Sequence, residues 1–201
     1  FKRLETWAHI RLGIEGKIVT QWSGQIIETL DGLAYIGKSP MEKNVYEVSG
    51  DSGHGITHGT IAADIIPDLI LNYENKLTEV YDPSRISMSA AKNYIKENLK
   101  GAVQLIDWAL PQEVEKEKDI PKGEGAVLSQ DGQKVAVHRD KIGHLHKCAA
   151  KCPHMGALVR WNSAEKTWDC PWHGSRFAPN GDVINGPANC GLGPLKKEKG
   201  K

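Results

Sequence analysis

The chain has 201 residues, a formal net charge of +1 and 25% charged residues, Lys and Arg being matched by Asp and Glu. That length holds one large or two small domains, and balanced charge with no long basic stripe excludes an ordinary nucleic-acid partner. No apolar run approaches the ~20 residues of a membrane-spanning helix and no secretory signal opens the chain, so no membrane span is expected and the cytoplasm is the expected location.

In chain order, residues 4–12 place Leu4, Trp7, Ala8 and Leu12 on one face, a helical pattern ended by Gly13. Residues 17–22 are expected as a strand, since Ile18, Val19 and Thr20 are β-branched. Ser23-Gly24 and Asp31-Gly32 mark turns on either side of an extended piece, and residues 45–48 read as a short strand. A glycine-rich turn follows, Gly53-His54-Gly55-Ile56-Thr57. Residues 57–66 then carry the apolar stripe Ile61, Ala62, Ile65 and Ile66 of a helix, and Pro67 breaks it or starts its next turn. A helix start with free backbone N–H groups can seat an anionic or electron-rich group, although a plain structural turn has the same composition. His54 and His58 read equally as turn and cap residues or as functional ones.

These pieces, in this order, resemble the C-terminal end of FAD-dependent oxidoreductases of the D-amino-acid oxidase-like family. The matching residues are Trp22-Ser23-Gly24-Gln25, Asp31-Gly32 with Ile36-Gly37, the turn at residues 53–57, and a helix followed by Tyr81-Asp82-Pro83-Ser84-Arg85. The resemblance covers residues 1–86. In that family the glycine-rich turn lies against the flavin ring, which implies flavin contacts for Gly53, His54, Gly55, Ile56 and Thr57. The family also binds the ADP half of FAD through a Gly-x-Gly-x-x-Gly turn after an N-terminal strand, and no such motif occurs in these residues. With Phe1 in place of Met at its start, the chain is expected to be the C-terminal portion of a larger flavoprotein. Its partner is then the N-terminal FAD-binding portion, and by itself it is expected to hold FAD weakly or not at all.

Residues 87–110 form the longest helical pattern, with Ala91, Ile95, Leu99, Ala102 and Ile106 recurring every three to four residues. Residues 111–124 are charged and bounded by Pro and Gly, a composition that buries little and reads as a linker between domains at 1–110 and 125–201. The period then changes to that of strands at residues 126–128, 134–138 and 142–146, with hairpin turns at Asp131-Gly132 and Arg139-Asp140-Lys141. Residues 158–161 and 167–169 flank another turn, and Asn180-Gly181-Asp182 marks the last. His138, His144 and His146 fall in these strands and read as structural or solvated.

Two short stretches carry the chemistry. Cys152-Pro153-His154-Met155-Gly156 is followed by Cys170-Pro171-Trp172-His173-Gly174-Ser175, with fifteen residues between His154 and Cys170. Each offers one Cys and one His, with the Cys leading. Zinc takes two Cys and two His in a tetrahedral site, but zinc fingers pair Cys with Cys and His with His along the chain. Four separate structural residues is the other plain reading. A [2Fe–2S] cluster with two unlike irons needs two thiolates for one iron and two imidazoles for the other, and one Cys and one His from each loop supply both sets.

The double motif resembles the Rieske iron–sulfur family, whose signature is Cys-x-His, a spacer of this length and Cys-x-x-His. Gly186-Pro187-Ala188 is similar to the end of such domains. The resemblance implies that Cys152 and Cys170 ligate one iron, and His154 and His173 the other. High-potential members add a Cys to each loop, joined as a disulfide, and a Ser and a Tyr that donate hydrogen bonds to sulfur. Here Ala157 and Trp172 stand at the Cys positions, Ser175 keeps the first donor and Phe177 lacks the second. Cys148 and Cys190 are expected as free thiols in a reducing compartment.

The expected fold class is α+β: a mixed α/β flavin-oxidoreductase remnant, then a small antiparallel all-β Rieske domain. The expected function is electron transfer through the cluster, as part of an FAD-dependent oxidoreductase acting on an amine or amino-acid-like substrate and using an external electron acceptor or donor. A stand-alone ferredoxin-like carrier, its first half a docking surface, is the alternative. An oxygenase component would need a site of two His and a carboxylate, for which the sequence offers no candidate.

Overall fold

The computed structural model describes residues 1–85, 108–109 and 114–195. The helix expected over residues 87–110 lies outside the described residues except for Trp108 and Ala109, as does the start of the expected linker.

The N-terminal unit is built on a small core. Strands β1 (Tyr35–Lys38) and β2 (Tyr46–Ser49) pair antiparallel, and the longer helix α2 (Gly55–Leu71) lies on them. Ala34, Ile36, Ala62 and Ile65 are buried where they meet, so the apolar stripe read from the sequence is the packed one. The helix runs through Pro67 without breaking. Pro67 and Ala63 both lie on its exposed face, where water can take the carbonyl that the missing N–H leaves unpaired. A short helix α3 (Thr78–Tyr81) follows.

Arg85 then ties the unit together. Its guanidinium donates to both carboxylate oxygens of Asp31 at 2.8 and 2.9 Å and to the carbonyls of Leu33 and Ala34, and it lies 4.2 Å over the Tyr35 ring.

Helix α1 (Lys2–Leu12) ends on Gly13 in the left-handed conformation, φ 61°. None of its residues is buried, and Leu4, Trp7 and Leu12 are exposed. The strand expected at residues 17–22 does not form. That stretch is irregular and exposed, and no neighbouring backbone pairs with it in a ladder.

The C-terminal domain has two antiparallel sheets. One joins β3 (Glu124–Gln130), β4 (Gln133–Arg139) and β5 (Leu145–Ala149) in sequence order. The other joins β6 (Arg160–Asn162), β7 (Thr167–Asp169), β8 (Arg176–Phe177) and β9 (Val183–Asn185). Strands β3 and β4 are buried on both faces, which is why they read as continuous apolar runs. Val127 and Ala136 face a core with Cys148, Val159, Trp168 and Phe177, whereas Ala126, Leu128, Val135 and Val137 face another with Ile120.

Two expectations are corrected in this domain. Residues 142–144 belong to a turn, not to a strand: Asp140 Oδ1 accepts the N–H groups of Ile142, Gly143 and His144 at 2.7–3.0 Å, so the ladder starts at Leu145. The charged run also buries more than its composition implies. Ile120 is 2% exposed, and Glu117, in a 3₁₀ turn (Glu117–Asp119), pairs with Lys147 at 2.5 Å and accepts from Gln130.

Candidate metal centre

The two sequence motifs fold into the same backbone shape. In the first, the Cys152 N–H donates to the Ala157 carbonyl at 2.9 Å and the Gly156 N–H to the Cys152 carbonyl at 3.0 Å. In the second, the Cys170 N–H donates to the Ser175 carbonyl at 2.8 Å and the Gly174 N–H to the Cys170 carbonyl at 3.0 Å. Both loops are closed by a pair of flanking residues, Lys151 with Leu158 and Asp169 with Arg176. Gly156 and Gly174 turn back with φ of 83° and 75°, a conformation that costs glycine nothing. Pro occupies the second position of both loops. His is third in the first loop and fourth in the second.

The loops bring like with like. Cys152 and Cys170 are 1% and 4% exposed and their side chains are within hydrogen-bond reach of each other. His154 and His173 are both exposed, with ring centroids 5.0 Å apart. The four stand as a buried sulfur pair below an outer imidazole pair. Two thiols and two imidazoles, one of each from either loop, are the donors that a two-iron core with unlike irons takes.

The electrostatics agree with that donor set. Burial pushes the Cys170 thiol above its ordinary value, while N–H groups of His173 and Trp172 directed at it favour the thiolate. Burial and the neighbouring His154 lower the pKa of His173, favouring the neutral imidazole that a metal needs. Trp172 stacks on the His173 ring at 5.0 Å and 19°. Ser175 is fully buried, and its Oγ accepts the Ala188 N–H at 2.9 Å. Cys148 and Cys190 are free thiols, and burial pushes Cys148 up to about 11, which makes it inert.

The other sequence-predicted residues lie in the N-terminal unit. A cavity of about 420 Å³ opens at the start of α2, lined among others by Gln25, Gly53, Gly55, His58 and Gly59. Gly53 and Gly55 therefore reach it, whereas His54, Ile56 and Thr57 are exposed and are not part of its lining. His58, which the sequence left undecided, is 9% exposed, lines the cavity and keeps its Nδ1 without a hydrogen-bond partner. No helix among the described residues is long and apolar enough to cross a membrane.

Comparison with known proteins supplies the family. The model of the Rieske [2Fe-2S] domain matches residues 111–196. A Bacillus subtilis (strain 168) protein that carries the name Rieske 2Fe-2S iron-sulfur protein YhfW is 36% identical over 199 residues, 98% of this chain and 38% of its own length. The cytochrome b6-f complex iron-sulfur subunit of Chlorobaculum thiosulfatiphilum is 34% identical over 88 residues, 44% of this chain and 46% of its own. The chain thus spans less than half the length of these relatives. Among solved structures, the plasma membrane Rieske protein PetC3 of Synechocystis PCC 6803 aligns with 30% identity and a TM-score of 0.32, over 34% of this chain and 71% of that one. The Cys-and-His loops and their two-sheet scaffold lie within the matched residues, and residues 111–196 of this chain are a Rieske [2Fe–2S] electron-transfer domain.

Proposed function

We propose that Cys152 and Cys170 hold one iron of the cluster and His154 and His173 the other, and that the domain passes single electrons inside an FAD-dependent oxidoreductase. The observation that carries this reading is the repeated loop, which puts two thiols together in the interior and two imidazoles together at the surface. The cluster, when bound, stores one electron and makes no bonds. The protein's own residues do the rest. The interior position of the thiols keeps water from the sulfur, and the exposed imidazole edges, beside the half-exposed Met155, are where an external electron acceptor approaches.

The flavin half of the reading rests on the N-terminal unit. Similarity to the Bacillus subtilis protein runs through 98% of the chain, so it includes this unit as well as the cluster domain. The cavity at the start of α2, with the His58 Nδ1 that lacks a hydrogen-bond partner, suits an electron-rich ring edge. Gly53 and Gly55 line it, and His54, Ile56 and Thr57 flank it in the chain. FAD is proposed to be held jointly with an N-terminal portion of the parent protein, which oxidises an amine or amino-acid-like compound in the cytoplasm.

The test is elemental analysis and visible absorption of the parent protein. About two irons and two acid-labile sulfides per chain are expected, with loss of both in Cys152→Ser or Cys170→Ser, together with flavin bands. Stoichiometric zinc without labile sulfide would overturn the ligand assignment. Iron without flavin would overturn the oxidoreductase half alone.

A further inference from the structure

Both ligand loops are touched by residues outside the Rieske match at 111–196. Trp108 packs on the core beside the cysteines and donates its Nε1–H to the carbonyl of Gly156, the turning glycine of the first loop, at 3.2 Å. Gln25 lies against Gly174, the turning glycine of the second loop, closely enough that a Cβ there would run into its Nε2.

Two residues before Gln25, Ser23 is anchored to the same domain. The Ser23 N–H and Oγ–H donate to the two carboxylate oxygens of Glu165 at 2.6 Å each. Arg176 donates to the Ser23 Oγ at 2.9 Å and to its carbonyl at 3.3 Å, and its guanidinium also pairs with Glu165 at 2.9 Å and Asp169 at 3.0 Å. Glu165 and Arg176 have side chains only 11% and 18% exposed, so these charge-assisted bonds are partly shielded from water. Arg176 directly follows Ser175, and Asp169 directly precedes Cys170. A pull on Ser23 is therefore felt at both ends of the second loop.

We propose that Ser23, Gln25 and Trp108 brace the two cluster loops from outside the Rieske domain, and that this brace sets the cluster's reduction potential. These are positioning residues: they act through Gly156, Gly174 and Arg176 and touch no iron. The inference rests on the cluster reading given above and not on the flavin. Gln25 also lines the cavity at the start of α2, so the same side chain stands between that cavity and the loop carrying His173.

The test uses the iron-loaded 201-residue chain. Gln25→Glu sets a negative charge against the second loop, and because the reduced cluster carries one more negative charge, the midpoint potential should fall. Gln25→Met, neutral and of similar length, should stay closer to wild type. Trp108→Phe keeps the ring but removes the N–H and should change the cluster's electron paramagnetic resonance g-values with iron content intact. Independently, the double substitution Ser23→Cys with Glu165→Cys should give an intrachain disulfide on mild oxidation. Wild-type potentials in both Gln25 variants, unchanged g-values in Trp108→Phe, or failure of the cysteine pair to join would each overturn the brace. Loss of flavin from the parent would leave all three readouts untouched.

Discussion

Ser175 Oγ accepts the N–H of Ala188 at 2.9 Å, which leaves its own hydroxyl hydrogen free to point toward a sulfur. Two residues later Phe177, fully buried and paired with Trp168, carries no hydroxyl at all. Hydrogen bonds to sulfur stabilise the extra charge of a reduced cluster and raise its potential. With this one side-chain donor and no disulfide beside the loops, the potential should lie in the lower half of the roughly −150 to +300 mV spanned by such centres. Ser175→Ala should lower it further with iron content unchanged. Protein-film voltammetry checks both, and a wild-type value near the top of the range refutes the argument.

Gly125 lies in β3 where the rings of Trp161 and Trp168 come closest, so that a Cβ would meet them at 2.7–3.0 Å. Trp168 is fully buried with no room to yield, and the partly buried Trp161 is packed against it edge to face, 4.9 Å away, and stacked on His138. Gly125→Ala should destabilise the domain by about 1–3 kcal/mol, the usual cost of overpacking. Chemical denaturation at constant m-value measures it. A variant as stable as wild type would mean that β3 can move off β6.

Acid should loosen the N-terminal unit through Asp31. Its hydrogen bonds from Arg85 outweigh burial and bring its pKa from 3.8 to about 2. A carboxyl depressed in the folded state contributes stability that is present above about pH 4 and lost as pH falls toward 2. Asp31→Asn should remove that dependence and cost about 1–2 kcal/mol at neutral pH, since charge-assisted bonds weaken at partly open sites. Acid titration of the far-ultraviolet signal of α2 follows both effects.

His138 gives the cluster domain a second, milder pH dependence. It is 8% exposed, stacked on Trp161 at 5.1 Å and on His146 at 5.6 Å, and its Nδ1 has no hydrogen-bond partner. Burial first, and then His146, lower its pKa, although Asp140 and Glu124 oppose this. A depressed histidine stabilises the fold in its neutral form, so stability should decline as pH drops below its ordinary value of 6.5. The difference in melting temperature between His138→Phe and wild type should therefore change in the variant's favour from pH 7 to pH 5. A constant difference would show that the pKa of His138 is the same in the folded and unfolded chain.

The four proposed ligands could be read from the chain because both loops are contiguous: their spacing is the geometry. Strands buried on both faces were legible as apolar runs for a similar reason, and so was the stripe of α2. The strand expected at residues 17–22 failed because β-branched residues state a local preference, whereas a ladder needs a partner. Arg85 and Asp31 are 54 residues apart, so nothing local announces their pair. The same holds for Ser23 and Glu165, separated by 142 residues. Strands β8 and β9 have two and three residues, too few to show a period, and exist because each extends its neighbour's ladder.

The matched loops bear on how the centre is assembled. A zinc finger takes its shape from the ion and loses it to a chelator. Here each loop is shut by main-chain bonds from Cys N–H to a carbonyl five residues on, and from Gly N–H back to the Cys carbonyl. None of those bonds involves a ligand atom. Main-chain bonds of the fold thus hold both loops in shape, as they hold the sheets beside them. Insertion of a cluster then requires deprotonation of two thiols and a path past the exposed imidazoles, so reconstitution should be limited by delivery and not by refolding of the chain.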